Sequence, residues 1–249
     1  MSDNSVEIVV PAYNEALRLE QGFLTLRNWL DGNGLSDVRI CIAENGSRDA
    51  TPRIAERLAR QYAGTRVIRL PDPSLAEALK LAWESSSAAI LAYCDADMAT
   101  DPAHIAEALK ILRENPDCVL VSGSRHLPGA RVSGRNCRRR IVSRIYAICV
   151  NLALGTHFSD SACGFKFLRR SWFESIAGKL VAEQFTLGAE LAMLAERYAK
   201  GALVEIPVRW EERAGTHVRL LPTIWASAKN ILKIRRRTRR IVEVERRMA

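Results

Sequence analysis

What this sequence lacks narrows the field first. No run of apolar residues approaches the roughly 18 to 20 needed to cross a bilayer, which excludes a membrane span. The segment Met1 to Ser5 has neither a basic stretch nor an apolar core, so it does not read as a signal peptide. The six cysteines, Cys41, Cys94, Cys118, Cys137, Cys149 and Cys163, include no Cys-x-x-Cys pair, which suits reduced, mostly buried thiols in the cytoplasm better than a disulfide framework or a zinc site. His104, His126, His157 and His217 have no ligand spacing, so no metal is assigned to them, and His217 reads as an ordinary loop histidine. Internal repeats, low-complexity tracts, aromatic stacking motifs and a linker to a second independent domain are also missing.

What is present is a chain of 249 residues, 48% hydrophobic, long enough for one large domain or one domain with an appendage. The formal charge of +9 is unevenly placed. From Lys229 to Ala249 nine cationic residues stand against Glu243 and Glu245, a net of +7, and the rest is close to neutral. Such a tail suits an anionic lipid or nucleic-acid surface, or simply a solvated helix end.

Short β-branched or apolar runs at Val6–Val10, Arg39–Ala43, Arg66–Leu70, Ile90–Cys94 and Cys118–Ser122 read as five strands. Between them, helical spacing runs over Ala16–Leu30, with Leu17 and Phe23 on its apolar stripe, and from Thr51, taken as an N-cap before Pro52, to about Tyr62. Further helices open at the capping box Ser74–Glu77 and at Asp101-Pro102. The alternation predicts an α/β, doubly wound, mainly parallel sheet with helices on both faces. Beyond it, Gly129–Arg144 reads as a basic loop, Ile141–Leu154 and Phe185–Lys200 as helices, Cys163–Leu168 and Leu203–Trp210 as strands, and Leu221–Arg240 as an amphipathic helix.

Asp95 and Asp97 follow the fourth strand. Alternate residues of a strand point the same way, so both carboxylates could aim at one point beyond the sheet, where hard cations such as Mg²⁺ or Mn²⁺ take oxygen ligands. Asp-x-Asp is also common in plain turns. In doubly wound sheets ligands collect beyond the carboxyl ends of the strands, and the loops there carry Asn14, Glu15, Glu44 to Asp49, and Asp95 to Asp97.

Six stretches in order, "VVPAYNE" (Val9–Glu15), "ENGSRDAT" (Glu44–Thr51), "YCDADMATDP" (Tyr93–Pro102), "GSR" (Gly123–Arg125), "DSACGFK" (Asp160–Lys166) and "EIPVRW" (Glu205–Trp210), resemble the inverting glycosyltransferases of family 2. The likeness extends to their polyprenyl-phosphate branch, such as dolichyl-phosphate mannose and glucose synthases. The resemblance implies the GT-A nucleotide-diphospho-sugar transferase fold over residues 1–219, and transfer of a hexose from a UDP- or GDP-sugar to a polyprenyl phosphate. It places Pro11, Tyr13, Asn14, Glu15, Glu44, Asp95 and Ala96 around the nucleotide sugar, with Glu44 replacing a usual aspartate and leaving base identity open. Asp97, with Asp95 beside it, would hold Mg²⁺ or Mn²⁺ against the diphosphate; Asp97 and Arg125 would be catalytic. Arg125, Arg139 and Ser143 would bind the acceptor phosphate, with Arg135, Arg138, Arg140 and Arg144 as neighbours and Lys166, Glu190 and Arg209 as secondary candidates.

Two departures from the family pattern matter. A Gly-Lys-Gly type sequence is replaced by Asp72–Glu77, and the aspartate of a "DxEL" helix by Gly188. A hydroxyl acceptor would need such a base, and a phosphate would not. Glu190 could equally be an exposed helix glutamate. The C-terminal segment 220–249, with Leu221, Ile224, Trp225, Ala228, Ile231 and Leu232 on one stripe, suits either a core helix or one lying in a bilayer interface. The expectation is peripheral attachment to the cytoplasmic face of an anionic membrane, to which the helix Ile141–Leu154 could add a second apolar face, with a membrane-protein partner or a homo-oligomer left open. A hydroxyl-acceptor transferase and a basic nucleic-acid-binding protein are the alternatives; no nucleic acid is expected as a partner.

Overall fold

A computed structural model describes residues 4–134, 136–213 and 229–237. In chain order the elements are β1 (Val6–Ala12), α1 (Leu19–Gly32), β2 (Arg39–Asn45), α2 (Thr51–Gln61), β3 (Thr65–Leu70), α3 (Leu75–Glu84), β4 (Ile90–Cys94), α4 (His104–Glu114), β5 (Leu120–Ser124), β6 (Arg131–Ser133), α5 (Cys137–Leu154), β7 (Phe165–Arg169), α6 (Arg170–Ile176), α7 (Leu187–Tyr198), β8 (Leu203–Pro207) and β9 (Arg209–Glu211). Residues 229–237 are helical.

Seven strands form one sheet in the order β3-β2-β1-β4-β7-β5-β8. All neighbours pair in parallel except β7, which runs against both β4 and β5. The sheet is therefore the expected mainly parallel, doubly wound one, with one reversed strand that hydrophobic patterning could not orient. β6 and β9 form a separate two-stranded ribbon. Because β1 lies between β2 and β4, the chain switches direction of winding at β1, the point beyond whose strand carboxyl ends doubly wound sheets form their ligand crevice.

The strands are apolar on both sides because both faces are covered. Ile8, Val10, Ile40 and Ile42 pack with Phe23 and Leu26 of α1 and Ile105 and Leu109 of α4. Val9, Cys41, Leu91 and Tyr93 face the other way, into Trp83 of α3, Val150 of α5, Phe173 of α6 and Leu191 of α7.

Several boundaries differ from expectation. α1 begins at Leu19, so Leu17, assigned to its apolar stripe, is 97% exposed. α5 begins at Cys137, inside the stretch expected as loop: the Asn136 side chain caps it by accepting from Arg138 N, and arginine is itself a good helix former. The expected strand Leu203–Trp210 is split after Pro207 into β8 and β9. Thr51 does not cap α2, because its hydroxyl is turned to another loop. Of the predicted C-terminal stripe, Ile231 is buried in the larger core beside Ile234, while Leu232 is exposed. Residues 220–228 and 238–249, with the rest of that stripe, and His217 lie outside the described residues. Among the described residues no helix is long and apolar enough to cross a membrane.

Candidate active site

The first loops of the crevice are stitched by side chains that accept from backbone N–H groups. Asn14 N donates to Ser47 Oγ (3.0 Å), Glu15 N to Thr51 Oγ1 (2.8 Å) and Ala16 N to Asp49 Oδ2 (3.1 Å), while Asn14 Oδ1 accepts from Arg48 N (2.9 Å). Glu44, buried at the end of β2, accepts from Ser47 N at 2.7 Å. These bonds join the loop after β1 to the loop after β2 and hold Asn14 at a φ of +53°, in the left-handed region. Pro11 is half-buried in β1, and Tyr13 is 42% exposed at the mouth.

Asp95 and Asp97 follow β4 in a loop whose Met98 has a φ of +48°. Asp97 Oδ1 accepts from Ala99 N (3.1 Å), and its Oδ2 lies 3.9 Å from Arg18 Nη1. Arg18, which sequence reasoning missed, is held by Glu15 through two contacts of 2.7 and 2.8 Å. Its signal was the Glu15–Arg18 spacing at the start of a helix. Loss of water pushes the Asp95 carboxyl up to about 7, with the Asp97 charge adding to the effect and Arg125 and Lys166 opposing it. Gly164 makes the enclosure: a Cβ there would sit 2.0 Å from the Asp95 carboxylate. Ala96 is buried, and a Cβ on Gly22 would meet its carbonyl oxygen at 1.9 Å, so α1 rests directly on this loop.

The second half of the site is a cluster of buried ions. Arg125 donates from Nε and Nη2 to the two carboxylate oxygens of Asp160 (2.6 and 2.8 Å), and its backbone N–H donates to Oδ2 (3.1 Å). Burial alone would raise the Asp160 carboxyl, but the Arg125 guanidinium outweighs it and holds it well below the usual carboxylate range. One edge of the Arg125 fork, the Nε and Nη2 side of a group assigned by resemblance to an acceptor phosphate, is thus engaged inside the protein, and its guanidinium carbon lies 5.5 Å from the centre of the Trp210 ring. Glu205 accepts from Ser159 N (2.7 Å), Ser159 Oγ (2.8 Å) and Asp160 N (3.1 Å), and Ser124 Oγ meets Ser159 Oγ at 2.6 Å. His126 Nε2 is 3.1 Å from Ser143 Oγ and 4.0 Å from Asp160 Oδ2. One ring nitrogen faces both partners, so this is not the relay of a serine nucleophile, which uses opposite nitrogens. Three distant motifs and Ser143 of α5 therefore meet in one hydrogen-bonded cluster.

The other candidates sort by contact. Lys166 is fully buried and donates to Ser161 O (3.1 Å) and Cys163 O (2.7 Å), shaping the loop against Asp95. Glu190 is buried, not the exposed helix residue that was one expectation. Its carboxylate accepts from Val181 N and Ala182 N, so it latches a loop. Arg209 pairs with Asp101 at 2.9 Å on the surface, anchoring β9 to the segment before α4. Arg138, Arg140 and Arg144 are exposed on α5; Arg135 and the side chain of Arg139 lie outside the described residues. Gly188 faces the backbone of the loop before β7: a Cβ there would be 2.2 Å from Ser161 O and 3.2 Å from Lys166 Nζ. No side chain, and so no base, fits at that position.

Among the described residues no three His, Cys, Asp or Glu side chains gather as a metal cluster. Asp95 and Asp97 supply hard oxygen donors two residues apart, which suits a divalent ion that takes its other ligands from phosphate and water.

Residues 7–177 match the family model "Glycosyl transferase family 2". The chain is 33% identical over 233 residues to the glycosyltransferase AglD of Haloferax volcanii, covering 92% of this chain but 36% of AglD, so it spans about a third of that protein's length. It is 27% identical over 223 residues to the dolichyl-phosphate beta-glucosyltransferase of Drosophila melanogaster, covering 85% of this chain and 68% of that one. Among solved structures, glucosyl-3-phosphoglycerate synthase from Mycobacterium tuberculosis, crystallised with Mn²⁺, UDP-glucose and phosphoglyceric acid, superposes with a TM-score of 0.66 at 20% identity, covering 92% of this chain and 78% of that one. That likeness shows the GT-A-type fold.

Proposed function

The chain belongs to glycosyl transferase family 2, and from that premise we propose that it transfers a hexose from a UDP- or GDP-sugar to a polyprenyl phosphate with inversion at the anomeric carbon. An acceptor phosphate oxygen forms the new bond to that carbon while the bond to the diphosphate oxygen breaks and its electron pair leaves with the nucleoside diphosphate. The product is the β-linked polyprenyl-phosphate sugar.

One observation carries the choice of acceptor: the Ser161 carbonyl fills the space at Gly188 where a base would stand. A hydroxyl acceptor needs its proton removed. A phosphate monoester, with a second pKa of about 6, is already a nucleophile at neutral pH. The relatives named as acting on dolichyl phosphate support the same choice.

In this reading Asn14, Glu15 and Glu44 shape the nucleotide pocket, and Asp95 faces the donor sugar. Arg18 sets a fixed positive charge beside Asp97. A divalent ion held by Asp97 and Asp95 would neutralise charge on the departing diphosphate. Ser143 and His126 receive the acceptor phosphate, and Arg125, locked by Asp160, keeps the loop after β5 in place for them. The reaction takes place at a membrane surface, where a long isoprenoid must reside.

The test is direct. Protein is incubated with Mn²⁺ or Mg²⁺, labelled UDP- and GDP-sugars and a polyprenyl phosphate. A labelled lipid whose formation falls by about 10²–10³-fold in Asp97→Asn supports the proposal. Label appearing only in a hydroxyl-linked glycan or lipid product would refute it in favour of the hydroxyl-acceptor reading.

A further inference from the structure

One face of α5 has no partner among the described residues. Ile141, Ile145, Ile148 and Leu152 follow at intervals of four, three and four residues, and they are 59%, 54%, 58% and 78% exposed. At about 100° per residue they form one row along the helix. Two residues further on, Ser143, Ala147, Val150 and Leu154 repeat the spacing on the opposite face. Ala147, Val150 and Leu154 are buried, and Ser143 bonds His126. Single exposed aliphatics are ordinary on a protein surface, but a continuous row of four is not.

The charges around the row are of one sign. α5 contains no aspartate or glutamate, and Arg138, Arg140 and Arg144 are exposed along its first half. A second copy would bring its own α5, which has no carboxylate to meet these arginines. An anionic bilayer offers both an apolar layer for the row and phosphates for the guanidinium groups. The described part of the C-terminal segment is a poorer candidate, because Ile231 and Ile234 are buried in the core.

We propose that α5 is the membrane-docking element: it lies in the interface of an anionic bilayer, with Ile141, Ile145, Ile148 and Leu152 among the acyl chains and Arg138, Arg140 and Arg144 against lipid phosphates. Ser143 then stands on the far side of the helix, about 10 Å from the lipid. This second statement rests on the polyprenyl-phosphate reading: the acceptor's phosphate is lifted past α5 to His126 and Ser143 while its tail stays in the membrane. The docking itself does not depend on that reading.

Cys149 gives a reporter, since it is exposed next to Ile148 while Cys41, Cys94, Cys118 and Cys163 are buried. In a Cys137→Ser background a fluorophore on Cys149 is exposed to phosphatidylcholine vesicles with and without phosphatidylglycerol, carrying a doxyl-lipid quencher. The expected result is quenching with anionic vesicles that weakens with salt, and a drop in partitioning of about tenfold or more in Ile145→Glu/Ile148→Glu. Ile145→Ser/Ile148→Ser should give a smaller drop, and both variants should keep the thermal melt, because the row makes no core contact. Equal partitioning of wild type and both variants, or binding without quenching at Cys149, overturns the proposal. So does a concentration-dependent dimer in sedimentation equilibrium that the same variants abolish. Transfer to a short, water-soluble isoprenyl phosphate separates the two readings: the variants should retain it. Vesicle binding through α5 with no transfer to any polyprenyl phosphate would leave docking standing and remove the acceptor assignment.

Discussion

Around Asp97 most of the contacts that shape the crevice are carboxylates, amides and hydroxyls accepting from backbone N–H groups, with the Glu15–Arg18 ion pair beside them, whereas the central contact around Asp160 is a buried ion pair. Asn14, Ser47, Asp49 and Thr51 each make neutral or singly charged hydrogen bonds at a partly open mouth. Arg125 and Asp160, with side chains 9% and 2% exposed, are taken out of water together. The first arrangement leaves negative charge in excess and is suited to a ligand that brings cations. The second is electrically closed and holds its shape without a ligand.

The largest effect that would test this contrast is on the closed side. Arg125→Met leaves the Asp160 carboxylate buried without its partner and should remove about 3–5 kcal/mol of stability, measured by urea denaturation. Arg125→Met/Asp160→Asn should recover part of it. On the open side Asp97→Asn should leave the melting temperature unchanged, because the amide oxygen can still accept from Ala99 N, yet lower sugar transfer by about 10²–10³-fold. A stability loss in Asp97→Asn equal to that of Arg125→Met would break the comparison.

Gly188→Ala should cost about 1–3 kcal/mol, because the new methyl displaces the Ser161 carbonyl and with it the loop against Asp95. Denaturant midpoints report the stability, and the donor KM reports the loop.

The two sides should also differ in pH dependence. With its carboxyl raised to about 7, folded Asp95 holds a proton that the unfolded chain, near about 3.9, has released. Its contribution therefore falls as pH rises from about 4 to about 7 and is level above that. Asp160 is shifted the opposite way, so its stabilisation is complete above about 3.9 and is lost only in stronger acid. Midpoints measured between about pH 5 and pH 8 in chelator should decline in the wild type and lose that slope in Asp95→Asn. The smallest effect is expected from Thr51→Val, about 1 kcal/mol for one lost hydrogen bond, with a raised donor KM and little change in kcat.

Residue by residue, legibility followed sequence distance. Asp95 and Asp97 could be read because both lie at the end of one strand, and the pattern of that strand is local. Asp160 stood inside a quoted motif, but nothing in it announced that it would occupy Arg125, 35 residues away. Glu190 read equally as a secondary site residue or an exposed helix glutamate, because helical spacing does not reveal which loop folds over it. The acceptor role of Arg139 rests on resemblance alone, since its side chain lies outside the described residues.

By itself the sequence determined the alternation of strands and helices, the mainly parallel sheet, and the edge where Asn14, Glu44 and Asp97 gather. These depend on backbone propensity and on apolar period, which act over a few residues. Only the tertiary structure decided that β7 runs backwards between β4 and β5, and that Gly164 and Gly188 make room for neighbouring backbone. The pairing of Arg125 with Asp160, and the row of α5 left uncovered, were decided there as well. Such outcomes depend on which side chains become neighbours after the chain has crossed the sheet several times, and packing and desolvation, unlike periodicity, have no local signature.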